Sequence, residues 1–202
     1  MDDELEEFED EFIIPIPRRD LGVDEYRQKA ALGELGESSP EELLEGNSVP
    51  KERQSLRHEA SLDALQQLFK VMLPEGMHAR IQQPLDLGDS KPEPDVAVVR
   101  NTLDNYATRH PVATEVSMIV EVADASLVKD RRLKARIYSR AGILTYWLLN
   151  VMDSQLEVFT NPSGPVPMPG YQEHRTYRIE DRISLVIGLN DLGTIRIGDL
   201  IP

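Results

Sequence analysis

The chain has 202 residues, no cysteine and a formal net charge of −14. That length fits one hydrophobic core, or one domain with a tail, and the lack of cysteine excludes disulfides and thiolate metal sites. No apolar run reaches membrane-spanning length, and the N-terminus is acidic where a secretion signal would be basic, so the expectation is a soluble, cytoplasmic protein.

The charge is unevenly spread. Residues 1–50 hold 16 acids against 4 bases, and residues 51–202 hold 20 against 18. In "MDDELEEFEDEF" eight of twelve residues are acidic, which reads as a disordered tail suited to a basic partner or to the chain's own basic helix. The expected division is a tail at 1–36 and a domain at 37–202. In "GELGESSPEELLEG" the sequence predicts a turn and helix start, with Ser39 as cap, Pro40 at the first helical position and Glu42 three after the cap. Residues 55–72 carry Leu62, Leu65, Leu68, Phe69 and Met72 at helical spacing, closed by Pro74 and Gly76.

"MHARIQQPLDL" predicts a strand broken at Pro84, and "PDVAVVR" (94–100) and "TEVSMIVEV" (114–122) predict β-branched strands. "SLVKDRRLKARIYSRAG" predicts a helix with Ser126 as candidate cap and Gly142 as its stop. Between positions 129 and 140 six bases oppose only Asp130. "LTYWLLNV" and "QLEVFT" form an expected β-pair, "NPSGPVPMPG" a loop, and "YRIEDRISLVIGL" and "TIRIGDL" short late strands. Strand, helix, strand over 114–150 predicts a crossover between parallel strands.

Several chemistries find no support. The four histidines lack zinc spacing, and there is no Walker loop, dinucleotide fingerprint or nucleophile elbow. Carboxylates remain. Alternation puts Ser117, Ile119 and Glu121 on one strand face, and Val116, Met118, Val120 and Val122 on the other. A carboxylate on a mostly buried strand must be paired, protonated or bound to a cation. If the strands around Asp95 and Glu121 are neighbours, the two acids converge at the sheet end, and a hard divalent cation such as Mg²⁺ would relieve their repulsion.

"PEPDVAVV", "IVEVADASLVKDRRLKARIYSRAGILTYWLLN" and "TIRIGDLI" together resemble the restriction-endonuclease-like (Uma-type) bacterial family within the PD-(D/E)XK nuclease superfamily. The matching positions are Pro94 and Asp95, then Glu121 and Val122, then Asp130, Lys134 and Tyr138, then Gly142, Ile143, Tyr146 and Trp147. "EELLEG" at 41–46 resembles the family's upstream element, and His58 the histidine opening its next helix. The resemblance covers roughly 40–202. It implies an α+β or α/β fold, with a restriction-endonuclease-like mixed central sheet flanked by helices.

The superfamily's lysine belongs two residues after the strand acid, where this chain has Ala123. The resemblance implies a move to the helix, at Lys134. Asp130, Lys134 and Tyr138 lie four apart, so they share a helix face, while Leu133, Ile137 and Ala141 form a second stripe. Tyr146 and Trp147 are expected in the core, and Asn150 is given no chemistry.

The resemblance implies a metal-dependent endonuclease acting on DNA. Asp95, Glu121 and the Val122 carbonyl would hold Mg²⁺ (Mn²⁺ as substitute), with Lys134 completing the catalytic set. Glu42, Asp130 and Tyr138 are accessory candidates, and Arg131, Arg132 and Arg136 are candidates for phosphate contact. Double-strand cleavage by so small a domain suggests a homodimer. The alternative is a catalytically silent nuclease scaffold acting as an interaction or nucleic-acid-binding module, in which Asp95→Asn would relieve two uncompensated acids.

Overall fold

The computed structural model describes residues 41–101 and 106–202, together with Gln28. The acidic tail expected at 1–36 lies outside the described residues apart from Gln28, as do Ser39 and Pro40. The first element is not the helix start that the capping pattern predicts. Glu41–Leu44 (β1) and Asn47–Pro50 (β2) form an antiparallel hairpin. Its two-residue turn, Glu45 and Gly46, takes positive φ at both positions (50° and 76°), the geometry that matches strand twist. Burial of Leu43, Leu44 and Val49 and an Lys91 N–H to Leu43 carbonyl bond (2.7 Å) outweigh the local helical preference.

Helix α1 (Leu56–Met72) runs as its spacing predicts, with Ser55 accepting from the His58 N–H at its start. A six-stranded sheet follows, in the order β3 (Met77–Ile81), β4 (Val96–Arg100), β5 (Val116–Ala123), β6 (Thr145–Asn150), β7 (Gln155–Pro162) and β8 (Tyr171–Arg178). Neighbours are antiparallel except β5 and β6. Parallel strands cannot be joined by a tight turn, and the helical segment 127–140 makes that connection. β9 (Arg182–Ile187) and β10 (Asn190–Arg196) form a separate hairpin.

The sheet has a core on each face. On one side Met118, Val120 and Val122 pack with Leu62, Leu65 and Phe69 of α1 and with Leu185, Ile187 and Ile195 of the β9–β10 hairpin. On the other, Ile119 and Ala123 pack with Leu133, Ile137 and Tyr138 of the crossover and with Leu44 and Val49 of the first hairpin. Alternation along β5 fails at one point. The register steps from Val98↔Met118 to Val99↔Val116, so Ser117 bulges and Val116 joins Ile119's face.

The crossover is not one regular helix. Leu127–Lys129 is α-helical, Asp130–Lys134 forms a π-turn, and Ala135–Arg140 is α-helical again; together they are α2. Ser126 does not cap it, because its hydroxyl donates instead to the Asp130 carboxylate. Gly142 ends it at φ 78°, the left-handed stop expected. A Cβ at Gly142 would meet nothing within 4 Å, so Gly142→Ala isolates the backbone cost. Thermal unfolding should show a loss of about 1–2 kcal/mol. Among the described residues no helix is long and apolar enough to cross a membrane.

Candidate active site

Asp95 lies immediately before β4, and the pairing of Val96 with Val120, continued by one residue, sets it beside Glu121. The carboxylate is 6% exposed and collects donors from three directions. Its Oδ2 accepts from the Val122 N–H (2.8 Å) and His58 Nε2 (3.1 Å), and Oδ1 accepts from Gln82 Nε2 (3.0 Å). Burial pushes this acid up, but His58, Gln82 and the Val122 amide together pull it below its ordinary value. His58 is moved the opposite way, since Asp95, Asp124 and Asp130 outweigh its burial and favour the imidazolium. Gln82 reaches Asp95 from φ 50°, a conformation that a residue with a side chain adopts at some cost.

Glu121 points into the second core, where α2 covers it. Its Oε1 accepts from Lys134 Nζ (2.9 Å) and from the Tyr138 hydroxyl (2.6 Å). Lys134 also lies 3.4 Å from Glu42 Oε2 and 3.8 Å from Asp130 Oδ1. One buried ammonium thus serves three buried carboxylates, and they hold its pKa well above the usual lysine range against its burial. Three acids exceed what it can neutralise. Burial, opposed by Lys134, pushes Glu121 up to about 8 and Asp130 to about 6. Glu42 goes down despite burial, because Lys134, Lys129 and the Glu93 N–H all favour its anion. Asp130 and Lys134 are therefore no surface pair. Tyr138→Phe removes one of the two donors on Glu121 and should cost about 0.5–1.5 kcal/mol in a chemical denaturation series at neutral pH; an unchanged midpoint would show that the hydroxyl contributes nothing.

The Asp130 carbonyl accepts the Ala135 N–H of the π-turn and also the Tyr146 hydroxyl, at 3.1 Å. Tyr146 and Trp147 are core residues as expected. Asn150 closes the β6–β7 turn, bonding Asp153 through both its amide nitrogen and its oxygen.

Asp95, Glu121, Val122, Glu42 and Asp130 line one cleft of about 140 Å³. Arg131, Arg132 and Arg136 are exposed on α2 and do not line it. Arg131 grips the buried Glu157, and Arg136 pairs with Glu45. Three further contributors have no role from the sequence: His58, matched there to the histidine that opens the family's next helix, Gln82 and Lys129. His58 carried a readable signal, since it falls on the same helical stripe as Leu62, Leu65 and Phe69. Gln82 reaches the site only through its unusual backbone angle. Lys129 looked like any other base in a basic run, yet it is 7% exposed and bonds both Glu42 and Glu52.

No three His, Cys, Asp or Glu side chains among the described residues are grouped as a ready-made metal cage. The anionic donors that face the cleft are carboxylate oxygens, with the His58 imidazole beside them, and Asp130 Oδ1 and His58 Nδ1 are buried without a hydrogen-bond partner. Two carboxylates and a backbone carbonyl suit a small hard cation that keeps several waters.

The family model described as Uma2, "Putative restriction endonuclease", matches residues 23–196. No curated protein matches the chain. Among solved structures, the chain is similar to one described as a "putative nuclease belonging to DUF820" from Anabaena variabilis, with 18% identity and a TM-score of 0.67 over 89% of this chain and 97% of that one. At that identity the likeness is one of fold.

Proposed function

We propose, because the chain belongs to the Uma2 restriction endonuclease family, that it is a metal-dependent endonuclease hydrolysing phosphodiester bonds in DNA. The observation that supports this reading is that Asp95, immediately before β4, and Glu121, on β5, lie side by side and line one cleft. Among the described residues that cleft is lined by seven carboxylates against three lysine or arginine side chains. A polyanion would be repelled from it unless cations were added.

Asp95, Glu121 and the Val122 carbonyl would hold the cation, Mg²⁺ with Mn²⁺ as substitute. Such an ion, when bound, polarises a phosphoryl oxygen and lowers the pKa of water. The chain's own residues do the positioning. His58, Gln82 and the Val122 amide fix the Asp95 carboxylate, while Lys134 and Tyr138 fix that of Glu121. Arg132 and Arg136 face solvent on α2 and suit backbone phosphates; the exposed Arg136–Glu45 pair is of the kind worth about 1 kcal/mol or less, so a phosphate can displace it. Arg131 is committed to the buried Glu157 and suits that role less.

One observation favours the silent scaffold: Asp95 and Glu121 already have donors within the protein. The deciding experiment is cleavage of supercoiled plasmid in Mg²⁺ and Mn²⁺, paired with thermal melts at rising metal concentration. Cleavage by the wild type that needs metal and falls as salt rises is the expected result. No cleavage and no metal-dependent shift in melting would leave the scaffold reading in its place.

A further inference from the structure

We propose that Lys129, rather than Lys134, is the lysine that contacts the substrate phosphate, and that the Glu52 carboxylate occupies that phosphate's seat in the unliganded protein. This rests on the nuclease reading above and adds to it the residue that receives the scissile group.

The two lysines differ in where they stand. Lys134 lies within 4 Å of Glu121, Glu42 and Asp130, and all three of those acids line the cleft while Lys134 does not. It is behind the wall that it neutralises. Lys129, one residue before the π-turn, is part of the wall itself.

The surroundings of Lys129 are asymmetric. Its Nζ holds Glu42 Oε1 at 3.2 Å, and that acid's side chain is 2% exposed. The same nitrogen holds a carboxylate oxygen of Glu52, whose side chain is 39% exposed. The first partner anchors the amine, and the second is exchangeable. An ammonium has three donors and no acceptor, so any group that displaces Glu52 must offer an acceptor oxygen, and an anionic one to keep the ion pair. A phosphodiester does.

Glu52 belongs to the connection between β2 and α1, and Lys51, Arg53 and Gln54 from that connection also line the cleft. Lys51 bonds Glu93. The connection therefore brings an acid to the place where a strand backbone would run. When a phosphate takes over Lys129, Glu52 is released into solvent, and the phosphate's charge replaces that of the carboxylate, so the acidic cleft gains none.

The test is a double-mutant cycle on the full chain with Glu52→Gln, Lys129→Met and the pair combined. Binding of a short fluorescein-labelled DNA duplex is read by anisotropy in Ca²⁺, and single-turnover cleavage is read in Mg²⁺. Glu52→Gln should tighten duplex binding roughly threefold, the scale of an ion pair with one partner at the surface. Lys129→Met should weaken binding and slow cleavage about 10²-fold, as for loss of a charge-stabilising donor, with partial recovery in Lys129→Arg. In the Lys129→Met background, Glu52→Gln should change nothing, because Glu52 acts through that amine. A purely structural Lys129 would not produce this loss of the Glu52 effect.

Unchanged affinity in Glu52→Gln, or the same gain with and without Lys129, overturns the seat. If the cycle holds but the wild type cuts no plasmid, the phosphate seat stands and the nuclease reading falls. If the wild type cuts and the cycle is additive, the nuclease reading stands and the seat falls. A wild type that neither binds nor cuts the duplex overturns both.

Discussion

Asp95→Asn is expected to abolish metal-dependent cleavage, lowering the single-turnover rate by at least about 10²-fold. The substitution keeps the side chain's shape and removes its charge, so the loss reads the anion rather than the packing. It should also lower thermal stability in metal-free buffer. The native carboxylate accepts from Val122, His58 and Gln82 at 2.8–3.1 Å, and an amide can accept on only one of its two terminal atoms. At least one donor is left facing an NH₂ group, at a cost of about 1–3 kcal/mol. The sign is informative. Two uncompensated acids would make this substitution stabilising, whereas the donors around Asp95 make it destabilising. A variant that melts higher and still cuts would remove Asp95 from the site altogether.

Lys134→Met should give the largest loss of stability of any single change at the site. Among the described residues it removes the only side chain that contacts Glu121, Glu42 and Asp130 at once. Stripping one partner from a buried pair costs about 3–5 kcal/mol, which for a domain of this size lowers Tm by on the order of 10 °C. Adding Glu121→Gln to Lys134→Met should recover part of that loss, since the buried anion goes with its lysine. Differential scanning calorimetry of the single and double variants measures both. If Lys134→Met melts within a degree or so of the wild type, the amine is not what neutralises the cluster, and the argument that places it behind the cleft wall fails as well.

The mixed central sheet was legible in the sequence, and so were the residues that the structure gathers at the cleft. β-branched runs marked β4 and β5, and Asp95 and Glu121 stood out as acids at costly places. The four-residue spacing of Asp130, Lys134 and Tyr138 anticipated three groups converging on one another. The helix 55–72 and the Gly142 stop were also plain, because burial and local preference agree there. Where they disagree, local pattern misled. "EELLEG" carries a good helix start, but two turn residues at positive φ and three buried aliphatic side chains make a hairpin of it. β8 gave almost no signal, since "YQEHRTYR" is mostly exposed and owes its form to pairing with β7. The donors to Asp95 come from residues 58 and 82, and such long-range pairings leave no trace in spacing. The single-face reading of β5 missed the Ser117 bulge for the same reason, because only its partner strand reveals it.

The π-turn in α2 works as a phase shifter in the chain. Hydrogen bonds spanning five residues instead of four take up one residue more per turn, so everything after Lys134 is displaced along the helix circumference relative to a regular helix. One residue corresponds to about 100° of rotation. Relaxation of residues 130–134 to regular α-helix at unchanged length would undo that displacement. Its downstream half would then be turned by that angle, carrying the Tyr138 hydroxyl away from Glu121 and the Ile137 stripe off the sheet. The stretch thus works like slack held in a gear train. Loss of one residue within 130–134 can be taken up by conversion to regular α-helix with Tyr138 still in phase. The same loss elsewhere in this crossover turns the downstream half, so tolerance to a one-residue deletion should be highest at these five residues.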